Sequence, residues 1–149
     1  MTQENRKEFS YYAKKHIESI KANNSKAALY MTHAFVEPHK DFEVNQISII
    51  QDIYTKVGEE NNVLVIPVGL AFDIAYKELP DIKLHHDDGT HPNLKGTYLA
   101  ACTVFASVYG ESPIGLKYDY YGAINKEDKK LLQEIAHKAT LKYLKRTIN

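Results

Sequence analysis

The sequence predicts an α/β fold organised on parallel strands. Two short apolar runs carry the prediction: residues 27–32 (Ala27-Ala28-Leu29-Tyr30-Met31-Thr32) and residues 63–68 (Val63-Leu64-Val65-Ile66-Pro67-Val68). Neither alternates apolar with polar, as a strand with one wet face would, so each is expected to be covered on both faces. The second is rich in β-branched side chains, which favour extended backbone. A helical pattern lies between them, and strand, helix, strand over this distance is a βαβ unit with a right-handed crossover. At 149 residues the chain has the size of one domain and can bury a core.

Each element has a local warrant. Residues 4–22 form an amphipathic pattern, with Phe9, Tyr12, Ala13, His16, Ile17 and Ile20 at helical spacing and Asn23-Asn24-Ser25 as a stop. After the first strand comes a polar loop, His33 to Asp41, broken by Pro38. The crossover helix is expected from about Glu43 to Glu60, with Ile47, Ile50, Tyr54 and Val57 on one face and Asn61-Asn62 closing it. Leu70 to Leu79 is a shorter helix ended by Pro80. Pro92 to Tyr109 is helical again, with Tyr98, Ala101, Cys102, Phe105 and Val108 as its apolar face and Gly110 as its stop. Residues 113–122 are irregular and tyrosine-rich. Asn125, with Asp128 three residues on, opens a last helix to about Arg146, whose inner face is Leu131, Leu132, Ile135, Ala139 and Tyr143.

Composition excludes several classes of function. Nineteen basic residues against nineteen acidic ones leave no net charge, so nothing points to nucleic acid or to an anionic membrane surface. No apolar run approaches the ~20 residues of a membrane helix. The N-terminal residues are polar and carry no apolar signal region, which makes a cytoplasmic location the expectation for the chain as written. The lone cysteine, Cys102, excludes an internal disulfide and reads as a small buried hydrophobe on a helix face.

The chemistry is concentrated in Leu84-His85-His86-Asp87-Asp88-Gly89-Thr90-His91-Pro92-Asn93. A carboxylate three residues before an imidazole, in a turn, can hold one ring nitrogen and leave the other free as a base. Gly89 permits the sharp turn, and Pro92 suits the start of the following helix. A buried Asp88 would favour the charged imidazole, and the helix N-terminus would oppose it. The plainer alternative is an Asp that caps the helix beside a surface His. The histidines and aspartates here are also metal-ligand types, but consecutive ligands rarely converge on one ion and helical H-x-x-x-H spacing is lacking, so no metal site is predicted.

This block, Asp88-Gly89-Thr90-His91-Pro92-Asn93, followed by Gly96-Thr97-Tyr98-Leu99-Ala100-Ala101-Cys102 and Gly110-Glu111-Ser112-Pro113, resembles the last conserved block of the SGNH (GDSL-type) hydrolases. The runs Ala28 to Thr32 and Val65 to Gly69 look like the preceding strands of one bacterial branch, so the resemblance spans roughly residues 25–118. In that family the block carries the Asp and His of a Ser-His-Asp triad as D-x-x-H. The resemblance therefore implies a three-layer α/β/α, flavodoxin-like fold, and assigns Asp88 and His91 the catalytic positions. It implies hydrolysis of a carboxylic ester, including an acetyl ester on a carbohydrate, with no metal and no cofactor.

The same resemblance implies what is lacking. The family's nucleophilic Ser and the Gly and Asn of its oxyanion hole lie on earlier blocks that have no counterpart here. Ser10, Ser19, Ser25, Ser48 and Ser107 fall in helices or a turn, and Ser112 follows a helix without the strand–turn–helix setting of a nucleophile elbow. Residues 1–149 are thus expected to be the C-terminal part of one SGNH-like domain, truncated or split, with a reduced sheet. The complete protein could then be an exported one. Its open strand edge would take up the missing N-terminal half or another copy of the chain. His33, at the carboxyl end of the first strand, and His86 are the substrate-side candidates. Tyr118, Tyr120 and Tyr121 either stack on a sugar or, as the sequence favours, pin the irregular segment to the core. The alternative function is a catalytically inactive α/β module that binds a ligand or assembles through that edge.

Overall fold

In a computed structural model, which describes residues 2–145, the chain is a mixed α/β fold dominated by helices. The elements in order are α1 (Gln3–Ala22), β1 (Ala28–Tyr30), α2 (Gln46–Asn61), β2 (Leu64–Ile66), α3 (Val68–Glu78), α4 (Leu94–Tyr109) and α5 (Lys126–Leu144). β1 and β2 are parallel, with Ala28 beside Leu64, Leu29 beside Val65 and Tyr30 beside Ile66. The predicted βαβ unit is present, with shorter strands than the apolar runs suggested. Helix α2 begins at Gln46 rather than Glu43, and Asn45 before it makes no side-chain cap. The last helix ends at Leu144, and Arg146 lies outside the described residues.

Most of the core lies between α3, α4, α5 and β2, around Phe72, Leu84, Leu99, Leu132 and Ile135. A smaller cluster, Met31, Ile50 and Val65, seats α2 on the sheet. The expectation that both strands are covered on both faces holds for β2 alone. Among the described residues β1 pairs only with β2, and Tyr30 is 44% exposed. Two further corrections follow from packing. The inward face of α4 is Leu99, Cys102, Thr103 and Ala106, and Val108 and Ala101 turn outward. The helix is apolar nearly all round, so spacing alone did not fix which side meets α5. The three tyrosines do not pin their segment either: their rings cluster with one another, and Tyr121 is 93% exposed. The backbone there is held instead by Tyr98, which donates to the Tyr118 carbonyl, and by Gln133, which donates to the Leu116 carbonyl.

Two glycines bring the elements of the site together. Gly69, on the first turn of α3, donates its N–H to the Met31 carbonyl at 2.9 Å, and a Cβ there would lie 2.2 Å from the Thr32 carbonyl oxygen. Gly96 lets α4 approach the segment before it equally closely, with the Leu84 carbonyl oxygen 2.2 Å from where a Cβ would stand. These contacts set the end of β1, with His33, against α3 and the 84–93 loop.

Candidate active site

The loop from Leu84 to Asn93 folds back on itself. His86 N–H donates to the His91 carbonyl at 2.8 Å, Asn93 N–H donates to the Leu84 carbonyl at 2.9 Å, and His85 and Pro92 form an antiparallel bridge. Pro92 therefore precedes the helix rather than opening it. Asn93 is the N-cap of α4, its side-chain oxygen accepting from Gly96 N–H at 3.1 Å. Its amide nitrogen donates to the carbonyls of Lys83, at 2.8 Å, and His85, at 3.2 Å. One side chain thus caps the helix and ties down the loop's entry. Gly89, at φ +70°, accepts from Val36 N–H at 2.9 Å, which docks the loop on the segment after β1.

Asp88 and His91 meet at the tip. The Asp88 carboxylate takes the N–H groups of Thr90 and His91 on Oδ1, at 2.9 and 3.0 Å, and the His91 ring on Oδ2, at 2.6 Å to Nδ1. It caps no helix, so the plainer reading of this Asp does not describe it. Asp88 is not buried: its side chain is 47% exposed and that of His91 75%. The backbone N–H of His91, then its ring, then the Thr90 N–H hold the carboxyl well below the usual carboxylate range. An ionised carboxylate only accepts, so the proton shared with it belongs to His91 Nδ1. In the neutral ring the lone pair is then on Nε2, which is the arrangement of a general base.

His33 and His85 sit beside this pair and touch each other, with His85 Nε2 2.9 Å from His33 Nδ1. His33 stacks on Phe72, and His85 Nδ1 lies 2.5 Å from the Tyr76 hydroxyl. Burial, and then His33 beside it, pushes the His85 imidazole down to about 4. Burial likewise lowers His33, and His91 is near enough to lower it further. His86, the other substrate-side candidate, is exposed and borders a cleft of about 420 Å³ with Val36, Pro38, Tyr76 and His85. A hollow of about 730 Å³ between α2, α3 and α5 contains none of these residues.

The hydrogen bonds of Ser10, Ser25 and Ser112 run to groups other than His91. Ser10 donates to the Arg6 carbonyl and Ser25 to the Asn23 carbonyl. Ser112 Oγ lies 3.1 Å from His137 Nδ1 while accepting Ile114 N–H, which fastens the α4–α5 connection to α5. Burial raises the Cys102 thiol to about 11, leaving it protonated and unreactive. Among the described residues no group of three or more His, Cys, Asp or Glu side chains is arranged to hold a metal ion. None of their helices is long and apolar enough to cross a membrane. Spacing revealed neither Tyr76 nor Phe72 as part of the site; the one signal was their place on the face of α3 that carries Ala71 and Ala75.

Comparison with known proteins bears on the fold. No protein-family model matches the chain, and no curated protein does either. Among solved structures, a DUF4886 family protein from Bacteroides uniformis is similar, with a TM-score of 0.71 and 22% sequence identity. The match covers 83% of this chain and 50% of that one, so it spans about half the length of that protein. The likeness is one of fold.

Proposed function

We propose that the chain carries the base half of a serine ester hydrolase of SGNH type. The observation that carries the reading is the 2.6 Å bond from His91 Nδ1 to an Asp88 carboxylate already fixed by two backbone N–H groups. In the reaction, His91 Nε2 takes the proton of a serine hydroxyl as it attacks the ester carbonyl. Asp88 stabilises the imidazolium that results, and His91 then returns the proton to the leaving alcohol. The substrate class is a small or carbohydrate-borne carboxylic ester, and neither metal nor cofactor enters these steps. The incomplete three-layer fold of that family is part of the same reading.

The nucleophile comes from outside the chain in this account. Two observations support that: among the described residues β1 has a strand neighbour on one side only, and the similar structure is about twice as long as the matched region. A parallel strand normally has neighbours on both sides, so the free edge suits a segment of the missing half or of another subunit. The test is ester hydrolysis by the assembly purified from its native host, next to the isolated chain. Hydrolysis by the assembly, little by the chain alone, and loss of activity with His91→Ala are expected. An assembly without ester hydrolysis, or with hydrolysis indifferent to His91, would leave the inactive binding module as the better account.

A further inference from the structure

Tyr76, His85 and His33 form a hydrogen-bonded chain to which the proton shuttle gives no role. Its direction can be worked out. The Tyr76 hydroxyl oxygen accepts the backbone N–H of Leu84 at 3.3 Å and also lies against the backbone N–H of His85. With its acceptor side occupied, the phenol directs its own proton to His85 Nδ1, 2.5 Å away. His85 then carries its proton on Nε2 and donates it to His33 Nδ1 at 2.9 Å. A neutral His33 that accepts on Nδ1 then carries its own proton on Nε2. The rings leave little freedom: His33 is stacked on Phe72 at 4.6 Å, and His85 meets both edge-on.

We propose that Tyr76 and His85 fix His33 as a neutral N–H donor beside His91, and that this donor receives the carbonyl oxygen of the ester substrate. The assignment rests on the hydrolase reading above. It answers a need of that chemistry, because the carbonyl oxygen gains negative charge as the serine attacks, and a donor set in place beforehand stabilises it. Neutrality matters for a second reason. His91 must become a cation during the reaction, and a charged imidazole next to it would oppose that step. Burial of His33 and His85, which lowers both, keeps the pair uncharged at neutral pH. His33 is only half-buried. Tyr76 and His85 are positioning residues; His33 is the group that touches substrate.

Two measurements separate the donor from the function it serves. Long-range proton–nitrogen spectra of the full chain at neutral pH should show His33 and His85 both as Nε2–H tautomers. Tyr76→Phe should release His85 into a mixture and carry His33 with it. A His33 protonated on Nδ1 or charged at pH 7 overturns the relay, whatever the protein does. In the native assembly, His33→Leu should lower kcat for a simple acetyl ester by about 100-fold. His33→Gln, which keeps an N–H at the same reach, should stay within about 5-fold of wild type. Equal activity of wild type and His33→Leu rejects the donor while leaving His91 catalysis intact. Absence of hydrolysis in every form rejects the hydrolase reading and the ester acceptor together, and the spectra still decide the relay.

Discussion

Removing the Asn93 side chain tests how the site loop is built. Asn93→Ala loses the N-cap bond to Gly96, for which helix caps typically give about 1 kcal/mol. It also removes a side-chain donor to the Lys83 and His85 carbonyls, and each such bond contributes a net ~0.5–1.5 kcal/mol. The Lys83 bond is exposed and falls at the low end, while the His85 bond is partly buried. The sum is about 2–3 kcal/mol, or roughly 6–9 °C in Tm for a chain of this length. Thermal unfolding followed by circular dichroism reads it directly. Asn93→Asp sharpens the test, since it keeps a capping oxygen but turns a carboxylate oxygen toward two carbonyls. It should be no milder than Asn93→Ala. If Asn93→Asp is neutral, or Asn93→Ala costs below about 1 kcal/mol, capping alone is at stake and the loop is not held as described.

Three further outcomes are expected. Gly69→Ala places a methyl 2.2 Å from the Thr32 carbonyl oxygen, so backbone must move; a loss of about 1–3 kcal/mol in urea unfolding and shifted His33 resonances should accompany it. Stability should fall on acidification between about pH 6.5 and 4, because the unfolded chain protonates His85 at the ordinary value while the folded chain resists until about 4. The full interval corresponds to about 3 kcal/mol, and about half of that is expected because the ring borders a wet cleft; His85→Phe should flatten the dependence in unfolding measured across that range. In the native assembly, Asp88→Asn should lower kcat by up to about 10⁴-fold with little change in Tm, since what it loses is the tautomer of His91.

The sequence was most legible where structure is local. Asn125 and Asp128 mark the start of α5 because an N-cap is made within four residues, and its oxygen does accept the Asp128 N–H at 2.9 Å. Asp88 and His91 meet for the same reason: the turn between them is short and Gly89 allows it. The βαβ unit was legible from two apolar runs and the length between them. What depended on distant contacts was not. The runs said that both strands are apolar, but whether β1 is covered depends on a neighbour, and Tyr30 is exposed without one. An exposed Asp88 was unforeseen because spacing says only that the carboxylate can reach His91; what keeps it ionised without burial is a pair of backbone N–H groups in the turn and the His91 ring. Tyr76 reaches His85 only because the loop folds back across α3, and His33 joins them from 52 residues away. Periodicity carries no trace of such a meeting.

A base at this site requires that Asp88 hold His91 with its proton on Nδ1. Nitrogen-15 spectra of the imidazole at pH 8, in wild type and in Asp88→Ala, measure this directly. The expected result is an Nδ1–H tautomer in wild type that reverts to the Nε2–H majority of a free histidine in the variant. A wild-type His91 protonated on Nε2, unchanged by loss of the carboxylate, would contradict it, because the nitrogen required to accept the serine proton would already carry one.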